Sequence, residues 1–248
     1  MAATLAHLRD LHFGTETPAL VDGLVASLER VEPDLVVVSG DLTQRARDAQ
    51  FRAARAFLDR LPVPWLAVPG NHDIPLYDVT RRVLSPLGRF HRLVPSDTAP
   101  LFVAPGLRVL GLDSTRRRVA GRLRPERLEP IAGLLEGDPA DLRVLVTHHP
   151  LLRRPLLGAE AALRACARAR VDVLLAGHFH RFHATPEGDL LALEAGSALS
   201  EREPRRTFNV LRIAPHDVAV EVLAWDGRAF APGATQRYQR RDGSPPAH

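Results

Sequence analysis

The chain has 248 residues, 45% of them apolar and 25% charged, and its formal net charge is +4. This length and composition are ordinary for a soluble globular protein with one large core, and so modest a net charge does not favour a nucleic-acid-binding surface. A single cysteine, Cys166, excludes an internal disulfide, and no apolar segment reaches the roughly 18–20 residues that cross a bilayer, so we expect a cytoplasmic protein that does not enter a membrane.

The first seventy residues alternate between strand and helix patterns. Residues 3–10 predict a strand, and residues 17–31 place Leu20, Leu24, Val25 and Leu28 on one face of an amphipathic helix. An all-apolar strand at 34–41, a second amphipathic helix at 44–61 and a third strand leading into the turn at 69–73 follow. This alternation predicts a parallel sheet with right-handed crossovers.

Beyond residue 100 the sequence becomes richer in strands. Strand patterns occur at 101–105, 107–113, 142–150, 171–180, 190–199, 207–215 and 218–225. Helical patterns occur at about 124–136 and 159–169, and residues 74–98 predict a helical excursion between two sheets. Because no linker-like segment separates the halves, we expect one domain over residues 1–232, followed by a basic, flexible tail over 233–248.

Polar residues interrupt the predicted strands at their carboxyl ends, the edge of an open α/β sheet where ligands bind. Two pairs, in D-x-H and H-x-H, are spaced by two residues, so on an extended chain both members would point the same way. The polar residues at these strand ends are Asp10, His12, Asp41, Asn71, His72, His148, His149, His178 and His180, and a ligand set drawn from them would contain two Asp, one Asn and four His.

This mixture of imidazole and carboxylate ligands suits Zn, Mn, Fe or Co rather than Mg or Ca alone. Seven ligands are too many for one catalytic ion with an open position, but they suffice for two ions that share a ligand. Asp41 is the natural bridge because a carboxylate has two oxygens. The sequence therefore predicts a dinuclear site.

Five motifs in this order resemble the calcineurin-like metallophosphoesterases. They are D-x-H at 10–12, G-D at 40–41, G-N-H-D at 70–73, H-x-P at 148–150 and G-H-x-H at 177–180. The stretches GDLTQRA, PGNHDIPL and GSALSEREPRRTFNV are most similar to the bacterial class III cyclic-nucleotide phosphodiesterase branch. The resemblance implies an α/β fold, a four-layer αββα sandwich of two packed mixed sheets with the metal site at the carboxyl ends of the strands.

The resemblance also implies a role for each candidate residue. Asp10, His12, Asp41 and His180 would hold one metal, and Asp41, Asn71, His148 and His178 the other, with Mn, Fe or Zn as the ions. His148 is preferred to His149 because the family's ligand lies two residues before the proline. His72 would contact the phosphoryl oxygen or leaving group, and Asp73 would orient His72 from behind.

Four further residues and the oligomeric state are not assigned by these motifs. Arg9 stands where the branch usually has Ser, and a long helical insert that some relatives use for dimerisation has no counterpart, so an oligomer is left open. Arg202 and Arg206 are candidates for phosphate contacts, for contacts that support the fold, or for plain surface. His149 has no assigned role beyond a place behind the ligands.

The resemblance implies hydrolysis of cyclic nucleotides or other small phosphodiesters by a metal-bridging hydroxide. A nuclease of the same superfamily is one alternative, although dispersed arginines do not favour the basic groove it needs. A non-catalytic scaffold that kept the fold and lost the metals is another, and the complete set of ligand positions argues against it.

Overall fold

A computed structural model describes residues 3–94, 99–116, 121–152, 156–179, 181–200 and 204–240. The strands in these ranges are β1 (Ala3–Leu8), β2 (Leu35–Ser39), β3 (Trp65–Val68), β4 (Leu101–Ala104), β5 (Leu107–Gly111), β6 (Leu142–Val146), β7 (Val173–Ala176), β8 (His183–Glu187), β9 (Leu190–Glu194), β10 (Thr207–Ile213), β11 (Asp217–Trp225) and β12 (Phe230–Gln239). The helices are α1 (Pro18–Val31), α2 (Asp48–Leu58), α3 (Val79–Leu84), α4 (Gly88–Leu93), α5 (Pro125–Leu128), α6 (Ile131–Leu134) and α7 (Ala159–Arg168). No helix within the described ranges is both long and apolar enough to span a bilayer.

The strands form two mixed sheets of six strands each. The first sheet has the order β12-β11-β10-β1-β2-β3, with β1, β2 and β3 parallel and the other pairs antiparallel. The second sheet has the order β4-β5-β6-β7-β9-β8, with β5, β6, β7 and β9 parallel. In each sheet, parallel strands therefore direct their carboxyl ends to one edge.

Three apolar clusters define four layers. One joins the two sheets and includes Leu5, Val37, Val144 and Leu175. A second lies between the first sheet and helices α1, α2 and α4, and a third lies between the second sheet and helices α5, α6 and α7. Because strands such as β2 are buried along their whole length, they have the continuous apolar sequence predicted for them. The predicted αββα sandwich is confirmed.

Two edge strands and part of the tail differ from the prediction. The sequence did not indicate β8, which is polar and contains Pro186, or β12, most of whose side chains are exposed. Residues 233–239, expected to be flexible, belong to β12 and pair with β11, so the tail prediction is wrong there. Edge strands of this kind are held by backbone pairing with a neighbour, which leaves little apolar pattern in the sequence. Residues 241–248 lie outside the described ranges.

The helical pattern at 124–136 is divided into α5 and α6. Pro130 stands between the two helices, as the residue that precedes α6. Proline has no N–H to donate to the preceding turn, and its ring clashes with the carbonyl four residues earlier. The helical excursion at 74–98 contains α3 and α4, and Phe90 of α4 packs on Phe51 of α2 with ring centroids 6.3 Å apart.

Candidate metal centre

The predicted ligands lie in loops that leave the carboxyl ends of strands in both sheets. The loops after β1, β2 and β3 carry Asp10, His12, Asp41 and Asn71, and those after β6 and β7 carry His148 and His178. His180 lies outside the described residues, so its role as a ligand stays a prediction.

The backbone is left-handed at four of these positions. The φ angle is 46° at Asp10, 48° at His12, 55° at Asp41 and 84° at His178. Such conformations cost a residue with a side chain on the order of 1–3 kcal/mol each and persist where the surrounding structure imposes them. The expectation that Asp10 and His12 continue an extended chain is therefore wrong, because the chain turns sharply at both residues.

Four potential ligand atoms converge across the two sheets. His148 Nε2 lies 3.0 Å from Asn71 Oδ1 and 3.5 Å from Asp41 Oδ2. His178 Nδ1 lies 3.2 Å from the same Asn71 oxygen. Asp10, Asp41 and His148 also offer ligand atoms that lie within 4.8 Å of one another.

The surroundings of His148 fix which of its nitrogens can bind a metal. Its Nδ1 lies 3.0 Å from the backbone carbonyl oxygen of Ser39, an acceptor, so Nδ1 carries the proton. Burial lowers the pKa of His148, which keeps the ring neutral. The lone pair of Nε2 is therefore directed at Asn71 and Asp41.

Two carboxylates are buried at the centre of this group. Asp10 is 0% and Asp41 2% exposed. Burial raises the pKa of Asp41 well above its usual range, and the nearby Asp10 carboxylate raises it further. Bound cations would offset both effects.

Three glycines allow the loops to approach one another. A Cβ atom at Gly40 would stand 2.5 Å from His148 Nδ1, and one at Gly70 would stand 2.1 Å from Asp41 Oδ1. A Cβ at Gly177 would meet the Ser39 carbonyl oxygen at 2.8 Å. The glycines in the G-D, G-N-H-D and G-H-x-H motifs therefore stand where any larger residue would displace a candidate ligand or the carbonyl that orients one.

His72 faces the open side of the group and is held by two contacts. Its backbone N–H donates to Asp41 Oδ1 at 2.7 Å, and its Nδ1 lies 3.0 Å from the carbonyl oxygen of Gln44. The His12 ring lies edge-on to it, with centroids 4.7 Å apart. The Gln44 carbonyl is the group that orients His72, and the sequence did not indicate it.

Asp73 does not contact the His72 ring, so the predicted orienting role is wrong. Its carboxylate accepts hydrogen bonds from the backbone N–H groups of Leu42, Thr43 and Gly70, at 3.2, 2.9 and 2.9 Å. The Thr43 hydroxyl donates to it at 2.9 Å. The 3₁₀ turn over residues 71–73 directs the Asp73 side chain inward, where it joins the loops after β2 and β3.

His149 lies behind the candidate ligands. Its Nδ1 is 2.9 Å from Ser114 Oγ, and its ring centroid is 5.0 Å from that of His178. His148, His149 and His178 offer nitrogen atoms within 4.8 Å of one another, so proximity alone does not separate the two adjacent histidines. The contacts of His148 with Asn71 and Asp41 favour it as the ligand.

Two of the three arginines that the sequence left open lie within the described residues. Arg9 is fully buried, with Nη1 3.3 Å from Asp10 Oδ2, so it contributes a positive charge beneath a candidate ligand. Arg206 is partly buried just before β10, and its carbonyl accepts a hydrogen bond from Trp225. Arg202 lies outside the described ranges.

The residues present fit transition-metal ions. Buried carboxylates, an amide oxygen and a neutral imidazole with a free lone pair form the mixed oxygen and nitrogen donor set that such ions bind. Backbone strain at four of the positions shows that the fold holds these side chains in place at a cost.

Comparisons with known proteins show the family of this chain. The calcineurin-like phosphoesterase family model matches residues 3–182. A protein of Synechococcus sp. named as a probable cyclic nucleotide phosphodiesterase is 28% identical over 73% of this chain and 74% of its own length. One of Pseudoalteromonas sp. with the same description is 28% identical over 88% of this chain and 90% of its own.

The fold is also similar to that of a solved structure. A dimetal phosphatase from Danio rerio superposes with a TM-score of 0.71 over 96% of this chain and 99% of that one, at 15% identity. The family match spans well over half of the sequence, from the first strand through the histidine that follows β7. The chain belongs to the calcineurin-like phosphoesterase family and is a hydrolase.

Proposed function

We propose that the protein is a dinuclear metal-dependent phosphodiesterase acting on cyclic nucleotides or other small phosphodiesters. The observation that carries this proposal is the convergence of Asp41 Oδ2, Asn71 Oδ1, His148 Nε2 and His178 Nδ1 across the two sheets. The names of the two bacterial relatives support a diester as the substrate.

The ligands divide between two ions. Asp10, His12, Asp41 and His180 would hold one, and Asp41, Asn71, His148 and His178 the other, with Mn, Fe or Zn as the metals. When bound, the ions would supply an activated water nucleophile and neutralise charge on the phosphoryl oxygens. The residues of the chain would orient the metals and the substrate and would supply the proton for the leaving group.

The two carboxylate oxygens of Asp41 have different contacts. Oδ1 accepts the His72 N–H at 2.7 Å, whereas Oδ2 faces His148 Nε2 at 3.5 Å. Oδ2 is therefore the oxygen that Asp41 would offer to a metal beside His148. Oδ1, held by a backbone donor, would fix the carboxylate plane.

His72 would contact the leaving oxygen. Because Nδ1 lies against the Gln44 carbonyl, Nδ1 carries a proton, and Nε2 can donate only when the ring is doubly protonated. An imidazolium at this position would stabilise charge developing on the departing oxygen and could transfer a proton to it.

The test is a hydrolysis screen of the metal-loaded protein with Asp41→Asn as the inactive control. Substrates include 3′,5′- and 2′,3′-cyclic nucleotides, glycerophosphodiesters, single-stranded DNA, and a nitrophenyl diester with its matching monoester. We expect the diester to be cleaved faster than the monoester. Monoester turnover faster by about tenfold would assign the protein to the phosphatases, and preferential cleavage of DNA would assign it to the nucleases.

A further inference from the structure

A cavity of about 230 Å³ adjoins the candidate metal centre and shares Asn71 and His72 with it. Three arginines, Arg45, Arg82 and Arg116, also line it, and we call it the arginine pocket. The described residues that line it include no carboxylate. The sequence did not indicate this cluster, because Arg45 follows the G-D motif but the other two arginines are distant in the chain.

Both the backbone and the side chain of Arg45 make contacts that restrict its motion. Its backbone N–H donates to Gln50 Oε1 at 2.9 Å. Its guanidinium lies over the ring of Tyr77, 5.7 Å from the centroid, a cation–π geometry that limits side-chain motion. Little further ordering is therefore needed when an anion binds to it.

The other two arginines come from anchored segments as well. Arg82 of α3 donates from Nη1 to the carbonyl oxygen of Leu76 at 3.4 Å. Arg116 follows a turn in which the Thr115 N–H donates to Asp113 Oδ1 at 2.7 Å. Three separate segments thus bring guanidinium groups to one cavity.

Two of these arginines, Arg45 and Arg116, differ from other arginines in the described residues in how their charge is balanced. Arg89, close by on α4, pairs with Asp48 at 2.8 Å. Across the described part of the chain, no carboxylate lies within ion-pair distance of Arg45 or Arg116. Guanidinium groups gathered without a counter-charge repel one another, and an anion that binds among them removes that cost.

We infer that the arginine pocket binds a second anionic group, a phosphate monoester or a carboxylate, carried on one ester arm of the substrate. The inference rests on the proposed function, since the scissile diester would occupy the metal centre. That diester carries one negative charge and would be held by the metals, so the guanidinium groups of Arg45 and Arg116 remain for another anion. The volume of about 230 Å³ is below the roughly 300 Å³ at which pockets for drug-sized ligands begin, so it suits a short charged arm.

The kinetic test uses three 4-nitrophenyl phosphodiesters with the same leaving group, whose second arms are ethyl, 2-carboxyethyl and 2-phosphoethyl. We expect kcat/KM to be at least about tenfold higher for an anionic arm than for ethyl, as charge-assisted hydrogen bonds allow. Arg45→Gln or Arg116→Gln should each lower this ratio by about tenfold. Arg52→Gln, on the exposed face of α2, is the matched control and should leave the ratio unchanged.

A binding measurement separates this inference from the proposed function. The ligands are 4-nitrobenzylphosphonate esters with the same three arms, in which CH₂ replaces the scissile oxygen, titrated calorimetrically into the metal-loaded protein. If no diester is hydrolysed but an anionic arm still tightens binding about tenfold, the proposed function fails and the pocket assignment stands. Equal affinity for all three arms, or arginine variants that keep the full preference, would overturn the inference.

Discussion

The two sheets contribute different atoms to the candidate metal centre. The first sheet supplies all the oxygen donors, Asp10, Asp41 and Asn71, together with His12, whereas His148 and His178 come from the second. Neither edge contains the donor set by itself. The apolar cluster between the sheets, which includes Val37 and Val144, sets the distance at which oxygen and nitrogen meet. Metal affinity therefore depends on how the two sheets pack.

The two edges also differ in their backbones. On the first sheet, Asp10, His12 and Asp41 are all left-handed, and on the second His178 is left-handed whereas His148 is not. His148 is positioned instead by the Ser39 carbonyl of the first sheet, 3.0 Å from its Nδ1. Strained loops position the candidate ligands of the first sheet. In the second sheet, His148 is positioned by its contact with Ser39 of the first sheet.

Removing the Asp41 carboxylate, at the edge of the first sheet, should have the largest effect on metal content and rate. Asp41→Asn halves the negative charge available to the two ions, so we expect the loss of most of both metals and a fall in rate of at least about 10³-fold, more than a single lost donor costs. Elemental analysis and nitrophenyl diester hydrolysis measure the two effects. Asp59→Asn, at an exposed position just after α2, should change neither. Full metal content in Asp41→Asn would contradict the bridge.

Variants of the adjacent residues Asn71 and His72, in the loop after β3, should separate metal binding from catalysis. His72→Ala keeps the backbone N–H that donates to Asp41, so both metals should remain while kcat falls by about 10²–10³-fold. Asn71→Ala should instead weaken one metal, and excess metal should restore part of its activity. Metal analysis alongside steady-state kinetics distinguishes the two. A His72→Ala variant that loses a metal, or that keeps its kcat, would show the assigned role to be wrong.

A substitution at Asp73 measures how much the contact between the loops after β2 and β3 stabilises the protein. Asp73→Asn replaces a carboxylate that accepts four hydrogen bonds with an amide whose NH₂ group would face donors. We expect unfolding free energy to fall by about 2–3 kcal/mol, which corresponds to about 5–10 °C in Tm for a chain of this size. Thermal unfolding measures it. Stability equal to wild type would mean that these loops hold their shape without Asp73.

The smallest effect should come from His7, which lies beneath the site. Burial, followed by the charge of Arg9, lowers the pKa of His7 from 6.5 to about 3. Between these values the unfolded chain takes up a proton that the folded chain does not, so His7 makes stability fall as the pH falls. At pH 5 this amounts to about 2 kcal/mol relative to pH 7.

His7→Gln should therefore show a smaller loss of unfolding free energy between pH 7 and pH 5, by about that amount. Denaturant unfolding of metal-free protein at both pH values measures this difference. His91→Gln, exposed on α4, should retain the wild-type pH dependence. An unchanged pH dependence in His7→Gln would show that His7 titrates normally in the folded protein.

Much of the fold could be predicted because buried strands have continuous apolar sequences. The pattern of β2 or β6 follows from burial on both faces, and the helical face of α1 follows from burial on one. The edge strands β8 and β12 could not be predicted in this way, since pairing with β9 and β11 determines them.

For the candidate site, the sequence by itself determined which residue types gather and in what order, because each motif follows a strand whose carboxyl end must lie at the sheet edge. Only the tertiary structure decided what those residues contact. It turned Asp73 away from His72 toward the backbone of the neighbouring loop, and it placed the Gln44 carbonyl against His72 Nδ1. It also brought Arg45, Arg82 and Arg116 to one cavity. Local sequence fixes where a strand ends, whereas the direction of a side chain beyond that end depends on left-handed turns and on contacts between loops far apart in the chain.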